Sequence, residues 1–153
     1  MKIEYLCDNM IYVEPTAKWI YDEFIDGIRD GVSYENILIS RKNSHKHELP
    51  VIFIALIDDK CAGTVALVEN DLKYRDHTPW LAALYVDNKF RSQGIGEKLV
   101  ECVKSKTRDL GYKELFLRTE YAGDYYRKLG WTFVESCTDE FNIETDVYKF
   151  KLL

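Results

Sequence analysis

Ten residues, Asp87-Asn88-Lys89-Phe90-Arg91-Ser92-Gln93-Gly94-Ile95-Gly96, join the apolar run Trp80 to Val86 to a segment with helical periodicity. Glycines at 94 and 96 let the main chain approach a ligand closely. A helix opening there aims its unpaired N–H groups and the positive end of its dipole outward. This is chemistry for an anion: main-chain donors cradle a phosphate, and the Arg91 guanidinium is a forked cation at the mouth. A nucleotide-hydrolysing P-loop needs Gly-Lys-Ser/Thr, where this chain reads Gly96-Glu97-Lys98-Leu99. A dinucleotide fingerprint needs glycine where Leu99 stands and a first glycine tight against the strand. Here seven residues separate Val86 from Gly94, although Glu120 could imitate that fingerprint's ribose-binding acid. A sharp loop before a surface helix would use both glycines with no ligand at all.

The elements that must position this loop follow from periodicity. Lys2 to Cys7 reads as an edge strand. Pro15 as first helical residue, or Thr16 as cap, opens a helix with Ile20, Phe24 and Ile28 at four-residue spacing, ending between Gly27 and Gly31. Ser33 caps a second short helix through Ile37 and Leu38, and Arg41 to Leu49 is irregular up to Pro50. Val51 to Ile57 and Thr64 to Val68 read as antiparallel strands joined across Asp58-Asp59-Lys60. After the polar stretch Asn70 to Pro79, Trp80 to Val86 reads as a central strand covered on both faces. Gly94 to Leu110 carries Ile95, Leu99, Val103 and Leu110 on one face and stops at Gly111, suited to a left-handed terminal residue. Glu114 to Thr119 alternates as a strand, Gly123 to Leu129 is a short helix, and Trp131 to Ser136 and Val147 to Leu152 close the order. The fold class expected is α/β: one domain over residues 1–153, with a mixed sheet and helices on both faces.

Composition bounds the function. The 153 residues are 46% hydrophobic and 31% charged, enough for one core and inconsistent with disorder. Lysine and arginine number 21 against 26 acidic residues, a net charge of −5, the wrong sign for tracking nucleic acid and better suited to a cationic partner. The longest apolar runs are seven residues, far below the ~20 that cross a bilayer, and the N-terminus lacks a signal-peptide pattern, so the expected address is cytoplasmic. Cys7, Cys61, Cys102 and Cys137 lie far apart without a Cys-x-x-Cys pair and read as buried free thiols. His45 and His47 stand in a polar loop and carry no metal-site spacing, so no metal is expected.

Arg91-Ser92-Gln93-Gly94-Ile95-Gly96 resembles the GNAT superfamily signature Arg/Gln-x-x-Gly-x-Gly/Ala at a strand-to-helix turn. Tyr125-Tyr126-Arg127-Lys128-Leu129-Gly130-Trp131 resembles the family's other familiar segment, an aromatic-Tyr-x-x-x-Gly-aromatic run, and the element order agrees over nearly the whole chain. Ser92 departs from the glycine many members carry, which implies weakened phosphate contact. The resemblance implies acetyl-CoA as cosubstrate, its pyrophosphate on residues 91 to 96 and its pantetheine arm along Leu84, Tyr85 and Val86. That strand splays from Leu115 to Thr119, and one of its main-chain N–H groups polarises the thioester carbonyl. It further implies Tyr126 as proton donor to the leaving sulfur, with Tyr125 in packing.

An acceptor amine with pKa near 10.4 is neutral at pH 7 in only a few molecules per ten thousand, roughly 4–5 kcal/mol uphill. No carboxylate lies on Trp80 to Val86, so Glu120, working through water, is the nearest candidate base. Acidic residues at Asp22, Glu23, Asp26 and Asp30, and at Asp139, Glu140, Glu144 and Asp146, would suit a polyamine or aminosugar acceptor. Acetylation of a protein or peptide amine, or a non-catalytic acyl-CoA sensor, stands as the alternative. A monomer or homodimer without nucleic-acid or membrane partners is expected.

Overall fold

The computed structural model describes residues 1–152. Seven strands form one mixed sheet: β1 (Lys2–Tyr5), β2 (Val51–Ile57), β3 (Lys60–Val68), β4 (Trp80–Val86), β5 (Glu114–Thr119), β6 (Thr132–Thr138) and β7 (Glu144–Lys151). Their spatial order is β1-β2-β3-β4-β5-β7-β6. Every neighbouring pair is antiparallel except β4 and β5, which run parallel. The helices are α1 (Val13–Ile20), α2 (Tyr34–Lys42), α3 (Ile95–Asp109) and α4 (Gly123–Lys128).

Both faces of the sheet are covered, as the helix and strand patterns require. α3 lays Ile95, Leu99 and Val103 against Phe53, Val65, Leu81 and Leu117 in the main core. Each such buried side chain contributes roughly 1.5–3 kcal/mol. On the other face α1 and α2 pack Val13, Ala17 and Leu38 over Ile52, Ile54 and Ala66. Beyond them the β3–β4 loop folds Leu72 onto Trp80, Phe116 and Val147. A hydrophobic residue at nearly every position of β2 is explained by this double cover. Asp58 and Asp59 both adopt positive φ, at 50° and 63°, the backbone of a two-residue hairpin turn that matches strand twist.

Several expectations need correction. The first strand stops at Tyr5, where a 3-10 turn begins. The first helix starts at Val13, so Pro15 sits inside its first turn, where its missing N–H leaves no bond unmade. The Thr16 hydroxyl donates back to the Tyr12 carbonyl at 2.7 Å instead of capping. After Ile20 the helix widens into a π-helical turn, Tyr21–Ile25, closed by the Asp26 N–H on the Tyr21 carbonyl, and ends before Gly27. Ser33 caps α2 as expected, in a reciprocal box with Asn36. The final strand begins at Glu144, because polar residues are tolerated on an exposed hairpin end. All four cysteines are free but half-buried rather than buried.

Candidate active site

β4 was expected to be covered on both faces, yet only Trp80 and Leu81 are buried and Ala82 to Val86 stay partly open. The cause is a gap in the sheet. β4 and β5 pair only at Trp80 and Phe116, with the Phe116 N–H donating to the Pro79 carbonyl at 3.0 Å. Beyond that point the two parallel strands diverge, and β4 has an unpaired edge facing β5. A bulge reinforces the divergence. Thr64 opposes Tyr85 and Ala66 opposes Ala82, which leaves Ala83 and Leu84 together across from Val65. Ala83 takes φ 51°, the left-handed region, and redirects the strand's main-chain groups.

The loop after β4 makes the second part of the site. A cavity of about 330 Å³ is lined by Val86, Phe90, Arg91, Ser92, Gly94, Ile95, Gly96, Glu97 and Tyr125. Gly94 precedes the first helical residue with φ 76°. A methyl group at Gly94 would meet nothing within 4 Å, and one at Gly96 only Val86 at 3.8 Å, so the protein leaves the space above this turn empty. The first N–H groups of α3 open onto that space. Arg91 Nε donates to the Val86 carbonyl at 2.9 Å and its guanidinium lies 5.5 Å from the Tyr85 ring centroid. Its two terminal amino groups have no hydrogen bond within the described residues. Tyr85 also meets Trp19 of α1 at 5.3 Å. The cradle thus offers main-chain donors and the Arg91 guanidinium, a donor set suited to an anion such as a pyrophosphate, with Glu97 as the carboxylate in its lining. Of the predicted contact residues, Gln93 is exposed and stays outside the cavity lining, and Leu84 packs into the main core.

Ser92 has φ 66°, a conformation that costs a side-chain-bearing residue about 1–2 kcal/mol. Ser92→Gly is therefore expected to raise unfolding stability by about 0.5–1 kcal/mol after the entropy of glycine is subtracted. Urea unfolding is the check.

Tyr125 and Tyr126 separate as their 100° spacing requires. Tyr125 is exposed and lines the cradle. Tyr126 is half-buried, edge-on to Trp131 at 5.8 Å and to Tyr125 at 5.3 Å. Burial raises the Tyr126 hydroxyl pKa, with a smaller push from Tyr125. Its hydroxyl has no hydrogen-bond partner among the described residues. α4 is held to the sheet beneath by Gly123, where an added methyl would overlap the Tyr148 hydroxyl, itself hydrogen-bonded to Arg127 at 3.1 Å. Gly123→Ala should cost about 1–3 kcal/mol by overpacking and displace Tyr126, read as a lowered melting temperature together with reduced turnover.

A polar cluster at the end of β5 was not legible in the sequence. Arg118 donates to Asp139 at 2.6 Å, to the Thr145 hydroxyl at 3.3 Å and to the Asp71 carbonyl at 3.3 Å. Burial works against ionised Asp139, but the Arg118 hydrogen bond and the Ile143 and Phe141 N–H groups outweigh it and hold its pKa below normal. Glu120 accepts from Thr145 at 2.9 Å and meets Arg29 at 3.6 Å and Arg118 at 4.0 Å. It ties the α1–α2 connection to the sheet. Asp71 lies close by in the β3–β4 loop, half-buried, and burial pushes its pKa to about 7 against the pull of Arg118 and Arg29. Arginine–carboxylate spacing across four separate loops is a property of tertiary structure, and nothing local signals it. No group of three His, Cys, Asp or Glu residues is placed to hold a metal ion among the described residues.

Comparison with known proteins agrees with this geometry. The acetyltransferase (GNAT) family pattern matches residues 13–131. The chain is 38% identical over 84 residues to human N-acetyltransferase 8B, covering 52% of this chain but only 37% of that protein's length. An aminoglycoside 6'-N-acetyltransferase solved with coenzyme A superposes with TM-score 0.76 at 14% identity, covering 100% of this chain and 98% of that one. A putative acetyltransferase from Salmonella typhimurium, solved with acetyl-CoA, superposes at 0.70 and 14% identity over 100% and 94% of the two chains. With its signature turn, divergent strands and tyrosine-bearing fourth helix in these positions, the chain belongs to the GNAT family of acetyltransferases.

Proposed function

We propose that this protein transfers an acetyl group from acetyl-CoA directly to a primary amine of a small cationic molecule, of polyamine or aminosugar type. The observation that carries the reading is the join of β4's unpaired edge to the empty, N–H-lined turn at residues 91 to 96. The turn offers Arg91, Ser92, Gly94, Ile95 and Gly96 to a pyrophosphate, with Gln93 at its outer side. The main chain of Leu84, Tyr85 and Val86 offers a β-ladder edge to an amide-bearing arm. A main-chain N–H at the Ala83 bulge is the donor suited to a developing oxyanion. Tyr126, protonated throughout the neutral range, gives its proton to the departing sulfur. Glu120, at the end of β5, can relay a proton through water but is already bonded to Thr145 and faces Arg29.

The net charge of −5 supports a cationic acceptor. Part of the acidic surface is already committed: Asp139 is bound to Arg118, and Asp146 accepts from Ser136 at 2.6 Å. Among the described residues no helix is long and apolar enough to cross a membrane.

The deciding experiment is a thermal-shift titration with acetyl-CoA, followed by thiol release across polyamines, aminosugars and peptide amines. Stabilisation by acetyl-CoA with turnover on small polycations is the expected result. Binding without thiol release from any amine would make the domain a sensor, and turnover confined to peptides would move the acceptor to proteins.

A further inference from the structure

A second, larger cavity of about 680 Å³ lies between the β3–β4 loop and the tip of the β6–β7 hairpin, with Asp71 and Glu140 in its wall. Its Asp71 wall is tied to the end of β5, the strand from which β4 diverges, because Arg118, one residue from the last position of β5, holds the Asp71 main chain. Among the described residues the arginines around Asp71 are otherwise engaged. Arg118 is taken by Asp139, Arg29 by Glu120 and the Phe24 carbonyl, and Arg75 by both oxygens of Glu135 at 2.8 and 3.0 Å. Lys73 and Asp76 of the same loop complete the charged lining. No donor within the described residues reaches the Asp71 carboxylate, whereas Glu120 and Asp139 are each bonded.

Building on the transfer reaction above, we propose that this cavity seats the acceptor's ammonium group and that Asp71, rather than Glu120, is the base that takes its proton. The Asp71 carboxylate accepts one proton from the ammonium, and the freed nitrogen lone pair forms the new N–C bond to the acetyl carbonyl. The C–S bond then breaks, and the thiolate takes its proton from Tyr126. The second nitrogen proton leaves with amide formation and replaces, through solvent, the one Tyr126 gave. Asp71 returns its own to water. A carboxyl poised near 7 by burial, with Arg118 and Arg29 opposing and Glu120 and Glu140 assisting, is half-ionised at neutral pH and matched to this task. Asp139 and Asp76 also carry charge on the neighbouring hairpin and loop.

The test compares wild type with Asp71→Asn on two acceptors, an ordinary alkylamine and a fluorinated alkylamine already neutral at pH 7. With the alkylamine at pH 7, kcat/KM should fall about 10²-fold. The wild-type profile should rise and level off as pH passes about 7, while the variant's keeps climbing about tenfold per pH unit toward the amine's own pKa. With the fluorinated amine the variant should stay within about threefold of wild type, since no proton need be removed before attack. A carbon-13 carboxyl titration of the protein without substrate should show one aspartate resonance, absent from Asp71→Asn, with its midpoint near 7. An unchanged pH profile, equal losses on both amines, or a midpoint near 4 would overturn the assignment to Asp71 alone. Absence of thiol release by wild type would overturn the transfer reaction itself, and this assignment with it.

Discussion

Tyr126→Phe should lower turnover at least about tenfold while leaving acetyl-CoA binding within a few-fold. The ring is what packs the short helix: its edge-on contact with Trp131 and its place in the main core survive the substitution. What is removed is a hydroxyl with no hydrogen bond inside the described residues, so stability should stay within about 0.5 kcal/mol. The sulfur of coenzyme A is then expelled as a bare thiolate, unless water supplies the proton. The pH dependence has a definite sign. An acid acts while protonated, and burial with Tyr125 raises this group's pKa, so wild-type kcat should persist through the neutral range and fall only in strong alkali. Phenylalanine removes that alkaline limb. Turnover unchanged in Tyr126→Phe would take the proton-donor role away from this residue, and loss of binding would make it a cofactor contact.

The largest effect on stability is expected at Arg118. Its guanidinium side chain is 7% exposed and its partner Asp139 is fully buried. Arg118→Met keeps the apolar stem but leaves a buried carboxylate without its cation, a change that costs about 3–5 kcal/mol. In a domain of this size that lowers the melting temperature by about 10 °C or more, measurable by calorimetry. Linkage gives a second signature. Asp139 has a folded pKa below its unfolded value, so the unfolded chain binds more protons in acid. The pair's contribution is present above the unfolded value of 3.8 and is lost as pH falls through the folded pKa. In Asp139→Asn that acid dependence should flatten while overall stability drops. A loss below about 1 kcal/mol in Arg118→Met would mean the cluster is hydrated and adaptable.

The element order was largely legible because its signals are local. Alternation in Glu114 to Thr119, the apolar stripe from Ile95 to Val103 and the Asp58-Asp59 turn each depend on residues a few positions apart. The α1 region was misjudged by periodicity alone, since a π-helical turn inserts one residue into the helical register and no composition marks it. The opening of β4 from β5 was anticipated from family resemblance, and its depth was not. Trp80 to Val86 is uniformly apolar, which suggests full burial, yet an apolar strand edge left unpaired serves equally well to receive a ligand.

By its own order of residues the chain determined the glycine-bearing strand-to-helix turn, since glycine backbone freedom, a helix start and Arg91 occur within six consecutive positions. It determined likewise the tyrosine pair on the following short helix and the net charge of −5. Tertiary structure alone decided which carboxylates are free. Asp139, Glu120 and Asp71 look alike in sequence, but long-range contacts give the first to Arg118 and the second to Arg29 and Thr145. Asp71 is left half-buried, with no donor to its carboxylate among the described residues. The ionisation of a carboxylate is set by the charges and solvent within a few ångströms of it, and those neighbours are brought together only when distant loops meet.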